Sequence, residues 1–168
     1  MGQYWKAASL TAREFISPHP LGSGAKLGEM LANSPGIGEA LIVLCAAMPE
    51  ARGGGDFDLQ ANWHGPESKF PEHNATPGPM PEDYQAIAAR TIGRWAGHRI
   101  ALVGDYAEDG DLPDSPVPAS QIYAACDSSA TGNFVAWLDV TEDVARVIEH
   151  ELGGKYGGDG WKPWEAGK

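Results

Sequence analysis

Apolar residues recur along this chain in two rhythms, and the rhythms predict its elements. Within Arg94–Tyr106 the run Ile100-Ala101-Leu102-Val103 is apolar on both side-chain parities, as suits a strand covered on both faces. Trp95-Ala96-Gly97 leads into this run and Gly104-Asp105-Tyr106 leads out. The pattern predicts a strand over 98–105, placed centrally in the domain. Further strands are predicted over 3–10, aromatic near its start, and over 134–140. Polar Thr11-Ala12-Arg13-Glu14 ends the first of these.

Helical spacing appears elsewhere. Leu27, Met30 and Leu31 share one side of a helix over 25–33. Ser34-Pro35 restarts the chain as N-cap and first helical residue, and Ile37, Leu41 and Leu44 follow at helical intervals over 35–47. The stretch from Ala40 to Ala47 is apolar nearly all round, so a buried strand competes with a buried helix there. Pro81-Glu82-Asp83 opens a helix over 82–92 with Tyr84, Ile87, Ala88 and Ile92 on one face and Gly93 at its end. Residues 120–126 fit a short helix or a strand. Thr141 is expected to cap a helix over 141–152, with Val144, Val147, Ile148 and Leu152 inward and Gly153-Gly154 stopping it.

Together these elements predict an α+β domain spanning 1–168: a small mixed sheet with about four packed helices. A three-layer α/β arrangement is the alternative. Residues 49–81 hold six prolines and five glycines, which argues against regular structure. They also carry Trp63, His64, Phe70 and His73, which a merely solvated linker does not need. An ordered Pro/Gly-rich loop covering the body is therefore expected over 49–81. The tail over 154–168, with Tyr156, Trp161 and Trp164, is expected to dock or to remain mobile.

Charge narrows the partners. The formal net charge is −11 and the isoelectric point is near 4.7. Such a surface repels nucleic-acid phosphates and anionic membranes and suits a basic protein partner. No apolar run approaches ~20 residues, so no membrane span is expected. The start Met1-Gly2-Gln3-Tyr4-Trp5-Lys6 lacks the apolar core of a signal peptide, and a cytoplasmic location is expected. Two cysteines, Cys45 and Cys126, fit a reducing compartment, though a disulfide between them remains open. Cys45, within Leu41–Ala47, reads as a small buried hydrophobe.

Candidate chemistry is sparse. Asp105 ends the predicted strand, where a carboxylate either starts a turn or reaches a cleft. His64 and His73, from the covering loop, would complete an acid–base site with it. The acidic loop Asp105–Asp114 lacks two EF-hand ligands, because Ala107 and Pro116 stand at the third and twelfth positions. Gly22-Ser23-Gly24-Ala25-Lys26-Leu27-Gly28 is neither a Walker loop nor a dinucleotide fingerprint. A glycine turn entering a helix can still offer backbone N–H groups to an anion, or it can simply be a tight turn. Gly22, Gly24 and Lys26 are candidate ligand residues on that ground, and Trp63, Trp95, Arg99 and Tyr106 join them as aromatic and cationic groups. No histidine pair has metal-binding spacing, so no metal site is assigned, and no cofactor follows from the sequence.

At Met1–Lys6, Glu14-Phe15-Ile16-Ser17-Pro18-His19, Gly24-Ala25-Lys26-Leu27 and Trp95–Tyr106, the chain resembles a family of small bacterial, phage and fungal proteins with no established activity. The family pattern carries Asp where this chain has His98. The resemblance covers most of residues 1–106, implies one recurring architecture and transfers no catalytic residue. Its phage members imply host interference as a role. Three functions are thus expected in descending order: an acidic binding or regulatory protein, a hydrolase-like enzyme or small-ligand domain with a pocket under 49–81, and a structural, oligomer-forming protein.

Overall fold

A computed structural model describes residues 3–32, 36–47, 82–127 and 135–155. The expected covering loop, with Trp63, His64 and His73, and the expected tail beyond Lys155 lie outside the described residues. The elements run β1 (Trp5–Ser9), β2 (Glu14–Ile16), α1 (Leu27–Ala32), α2 (Ile37–Cys45), α3 (Glu82–Thr91), β3 (Ile100–Gly104), α4 (Ala119–Ala125), β4 (Leu138–Asp139) and α5 (Thr141–Lys155), with 3-10 turns at His19–Leu21 and Asp109–Asp111.

The fold is α+β, with a small mixed sheet of four strands in the order β3-β1-β2-β4. β1 pairs antiparallel with both neighbours, and β2 pairs parallel with β4. The five helices slightly exceed the expected number. Among the described residues the predicted central strand is therefore an edge strand, and β1 lies between two partners. The apolar run on both parities of β3 places Val103 in one core and packs Ile100 against the other, while Leu102 is exposed, and a face says nothing about which strands lie alongside.

Each face of the sheet carries its own core. On one, Ala7 and Ile16 meet Val43 and Leu44 of α2, Ile87 and Ala88 of α3, and Val144 and Val147 of α5, with Trp95 among them. On the other, Ala8, Phe15 and Val103 meet Ile122 and Ala125 of α4, Cys126 and Trp137. Helices thus flank both faces, as the three-layer alternative expected, while the antiparallel pairing keeps the class α+β. The two cysteines are free. Cys45 packs against the first core and Cys126 lies within the second, so the sheet stands between them.

Several local expectations are corrected. β2 was not expected: Glu14 belongs to a strand that returns from a tight loop, with Arg13 in the left-handed region at φ 58°. The strand expected over 134–140 is ordered in pairing only at Leu138–Asp139. Residues 119–125 are helical. The helix expected to stop at Gly153-Gly154 runs to Lys155, because glycine costs only about 1 kcal/mol in a helix and need not break its hydrogen bonds. Its first turn is anchored by Asp139, whose carboxylate accepts the Thr141 N–H at 2.9 Å. The Thr141 hydroxyl instead accepts the Ser17 N–H at 2.9 Å.

The turn from α3 to β3 is fixed by backbone geometry. Gly93 and Gly97 have φ of 75° and 76°, where a Cβ is strained. The left-handed Gly93 lets the chain double back onto the end of α2. There Gly93 N–H meets the Val43 carbonyl at 2.9 Å and Trp95 N–H meets that of Leu44 at 2.7 Å. These bonds satisfy carbonyls that the helix end leaves without internal partners.

Candidate functional site

The loop after β3 carries two of the predicted site residues. Asp105 and Tyr106 are exposed. The Asp105 carboxylate accepts the Tyr4 N–H at 3.0 Å, while Asp105 N–H donates to the Tyr4 carbonyl at 2.9 Å. Asp105 therefore extends the β1–β3 ladder by one residue and caps the neighbouring strand. Beyond it, Glu108 N–H donates to the Asp111 carboxylate at 2.9 Å and Asp111 N–H returns to the Glu108 carbonyl at 3.0 Å. The Ser120 hydroxyl, on α4, donates to Asp109. Arg99 reaches the far end of the loop, donating to the Asp114 carbonyl at 2.8 Å. The loop is thus a shaped acidic surface held to both β3 and α4. Asp105, Glu108, Asp109, Asp111 and Asp114 are all exposed, and none forms an ion pair among the described residues.

Beside this loop, on the second face of the sheet, Lys6 is enclosed. Its Nζ lies 5.2 Å from the Phe15 ring centre and 5.0 Å from that of Tyr123, and it donates to the Cys126 carbonyl. Two ring faces and a carbonyl hold the cation, and among the described residues no carboxylate pairs with it. Burial, with Asp105 and Asp127 nearby, raises the Tyr123 hydroxyl above its ordinary pKa. Burial pushes the Cys126 thiol up to about 12, against the pull of Lys6. A fully buried thiol held neutral is a poor nucleophile.

The remaining predicted residues sit apart. Gly22 adopts a left-handed conformation at φ 74°, and its N–H donates to the His19 carbonyl at 3.0 Å. At the entrance of α1, Glu29 accepts the Lys26 N–H at 3.3 Å and lies 3.6 Å from its ammonium. A Cβ at Gly24 would strike the Glu29 side chain. An anion approaching this turn therefore meets a carboxylate already in the space between Gly24 and Lys26. Trp95, expected as a ligand residue, is fully buried, and its indole N–H donates to Glu14 at 2.8 Å. It offers no face to a ligand because it is part of the first core.

Trp95 leads to the polar cluster that the sequence did not announce. Glu14 accepts two hydrogen bonds from Arg94, at 2.8 and 2.6 Å, in addition to that of Trp95. Burial alone would raise this carboxyl. The Arg94 and Trp95 bonds, with the charges of Arg94 and His98, outweigh it and hold Glu14 below the usual carboxylate range. Ser9, opposite Glu14 in the ladder, sits 3.0 Å from His98 Nδ1 and accepts the Ala12 N–H at 3.1 Å. That is nucleophile–base distance, yet Ser9 is fully buried and its hydroxyl already ties the hairpin loop to the β3 entrance. The available signal was a lone carboxylate set before Phe15-Ile16, facing an Arg-Trp pair far along the chain.

Among the described residues no group of three His, Cys, Asp or Glu side chains is placed to hold a metal ion, and no helix is long and apolar enough to cross a membrane. No family model, curated protein or solved structure matches the chain.

Proposed function

We propose that this protein binds a basic segment of a partner protein on the loop from Asp105 to Asp114. The observation that carries the reading is the state of its carboxylates. Five exposed acids share one shaped loop, and the neighbouring cation, Arg99, is directed to a backbone carbonyl. The charge is left facing solvent. Elsewhere Glu14, Glu29, Glu142 and Asp143 are each paired with a local base, and Asp139 accepts the Thr141 N–H at the start of α5. Exposed Tyr4 and Tyr106 flank the loop and supply the aromatic contact that interface centres favour. Uncompensated surface charge of one sign steers an oppositely charged partner and sets the salt dependence of its capture.

The test is fluorescence anisotropy with a labelled Lys/Arg-rich peptide, and a Glu-rich peptide as control. Binding of the basic peptide is expected to weaken as salt rises. It should weaken roughly tenfold in the E108Q/D109N/D111N variant, which keeps the loop's hydrogen-bonding shape and removes three of its five charges. Equal binding by the variant, or no preference for the basic peptide, would reject the reading.

A further inference from the structure

We infer that His98 is a proton-operated latch: neutral, it ties the loop between β1 and β2 to the entrance of β3, and a second ring proton undoes the tie at Ala12. The latch draws on none of the carboxylates from Asp105 to Asp114 and stands whether or not they bind a basic partner. Ser9 is fully buried, so its hydroxyl finds its partners within the protein. Among the described residues two groups reach Ser9 Oγ: the Ala12 N–H at 3.1 Å and His98 Nδ1 at 3.0 Å. An amide N–H only donates, so Nδ1 is the atom that takes the hydroxyl hydrogen. Neutral His98 therefore keeps its lone pair on Nδ1 and carries its hydrogen on Nε2. His98 is half-buried, and Nε2 has no partner among the described residues, which leaves that hydrogen to water.

A ring with its hydrogen on Nε2 gains its next proton at Nδ1. That atom then turns from acceptor to donor. Ser9 Oγ faces two donors, and its own hydrogen is left without an acceptor. The hydroxyl recovers one only by turning, which gives up the Ala12 N–H. Two other ties of the loop bypass the ring: Leu10 N–H donates to the Arg99 carbonyl at 2.9 Å, and Arg99 N–H donates to Thr11 Oγ1 at 3.0 Å. The latch thus acts on the second half of the loop, Ala12 and Arg13, both exposed. Arg13 sits there at φ 58°, a conformation that a non-glycine residue holds only under constraint. The charges around the ring come from several elements. Glu14 on β2 attracts the added proton, but its carboxylate is engaged by Arg94 and Trp95 from the turn before β3. Arg99 beside the ring is directed to the Asp114 carbonyl. Asp143 of α5 pairs with Arg90 of α3 and acts on Arg94. Among the described residues no carboxylate bonds to the ring, so the protonated form gains no partner in place of the one it loses.

Nuclear magnetic resonance of the full chain tests the proposal, by long-range proton–nitrogen correlation of the imidazoles and by amide exchange between about pH 8 and about pH 5, the range in which histidine ordinarily titrates. At the upper end His98 should carry its hydrogen on Nε2. Corrected for the intrinsic pH dependence of exchange, protection of the Ala12 amide should fall about tenfold or more toward the lower end, while the Leu10 amide keeps its protection. His98→Asn supplies an amide oxygen as acceptor and does not titrate, so its Ala12 protection should stay level across the range. Ser9→Ala should leave Ala12 unprotected at both ends. The wild-type spectra decide the case even where a variant does not fold. A neutral ring with its hydrogen on Nδ1, unchanged Ala12 protection, an equal loss at Leu10, or the same loss in His98→Asn overturns the proposal.

Discussion

Two acidic regions flank β1, and they spend their carboxylates in opposite ways. On the β2 side, Glu14 is buried and receives three hydrogen bonds, from Arg94 and Trp95. On the β3 side, the acids of 105–114 are exposed and bond only to backbone and hydroxyl groups. The same chemistry is structural in one place and available in the other, and burial decides which. A carboxylate taken out of water must be fully partnered, whereas an exposed one can keep its hydration until a partner arrives. The comparison also separates what a mutation should cost in stability from what it should cost in binding.

The contrast breaks most sharply at Glu14. Glu14→Ala leaves the half-buried Arg94 guanidinium with the Arg90 carbonyl alone, at 3.3 Å, and the buried Trp95 N–H without an acceptor, and chemical denaturation should show a loss of about 3–5 kcal/mol. A smaller and more diagnostic effect is pH dependence. An unfolded glutamate titrates near ~4.3, and folding holds Glu14 below its ordinary value. Its contribution is therefore fully present above the unfolded value and is lost as pH falls through the lower folded one. Asp143, held down mainly by the Arg90 hydrogen bonds, has the same sign. Melts of the wild type should lose stability below about pH 4 more steeply than those of Glu14→Gln, and parallel curves would remove Glu14 from the acid transition. Ser9→Ala unpairs His98 Nδ1 and the Ala12 N–H, for about 1–2 kcal/mol in the same denaturation assay. Neutralising Glu108, Asp109 and Asp111 should move stability by less than about 0.5 kcal/mol, even as it weakens capture of a basic peptide.

The helical layer was legible because its signal is local. Met30, Ile37, Leu44, Tyr84, Ile87, Val144 and Val147 recur at helical intervals, and all are buried, whereas Leu27 and Leu31, placed on the same helix side as Met30, are exposed. Strand order was not legible. Alternation in Ile100–Val103 reports faces, while a place in the ladder depends on partners far away in the chain, and β2 is too short to show a period at all. The candidate site divides in the same way. Asp105 and Tyr106 were found because they end a strong apolar run. Glu14 was read as part of a polar turn because its partners, Arg94 and Trp95, lie 80 and 81 residues downstream. Trp95 was assigned to a ligand because an aromatic residue beside glycine looks the same in sequence whether it lines a pocket or fills a core.

The position of β1 between β2 and β3 also sets the order in which this sheet can assemble. Its pairing with β2 closes a loop of a few residues, as in Ser9 with Glu14, and such hairpins form within microseconds. Its other side waits much longer, since Ser9 and His98 are 89 residues apart. During synthesis the hairpin emerges early and keeps one flank unpaired until β3 leaves the ribosome, on the order of ten seconds later. The hairpin, marginal by itself, thus waits through about half of the chain's own translation for the strand that secures its other flank.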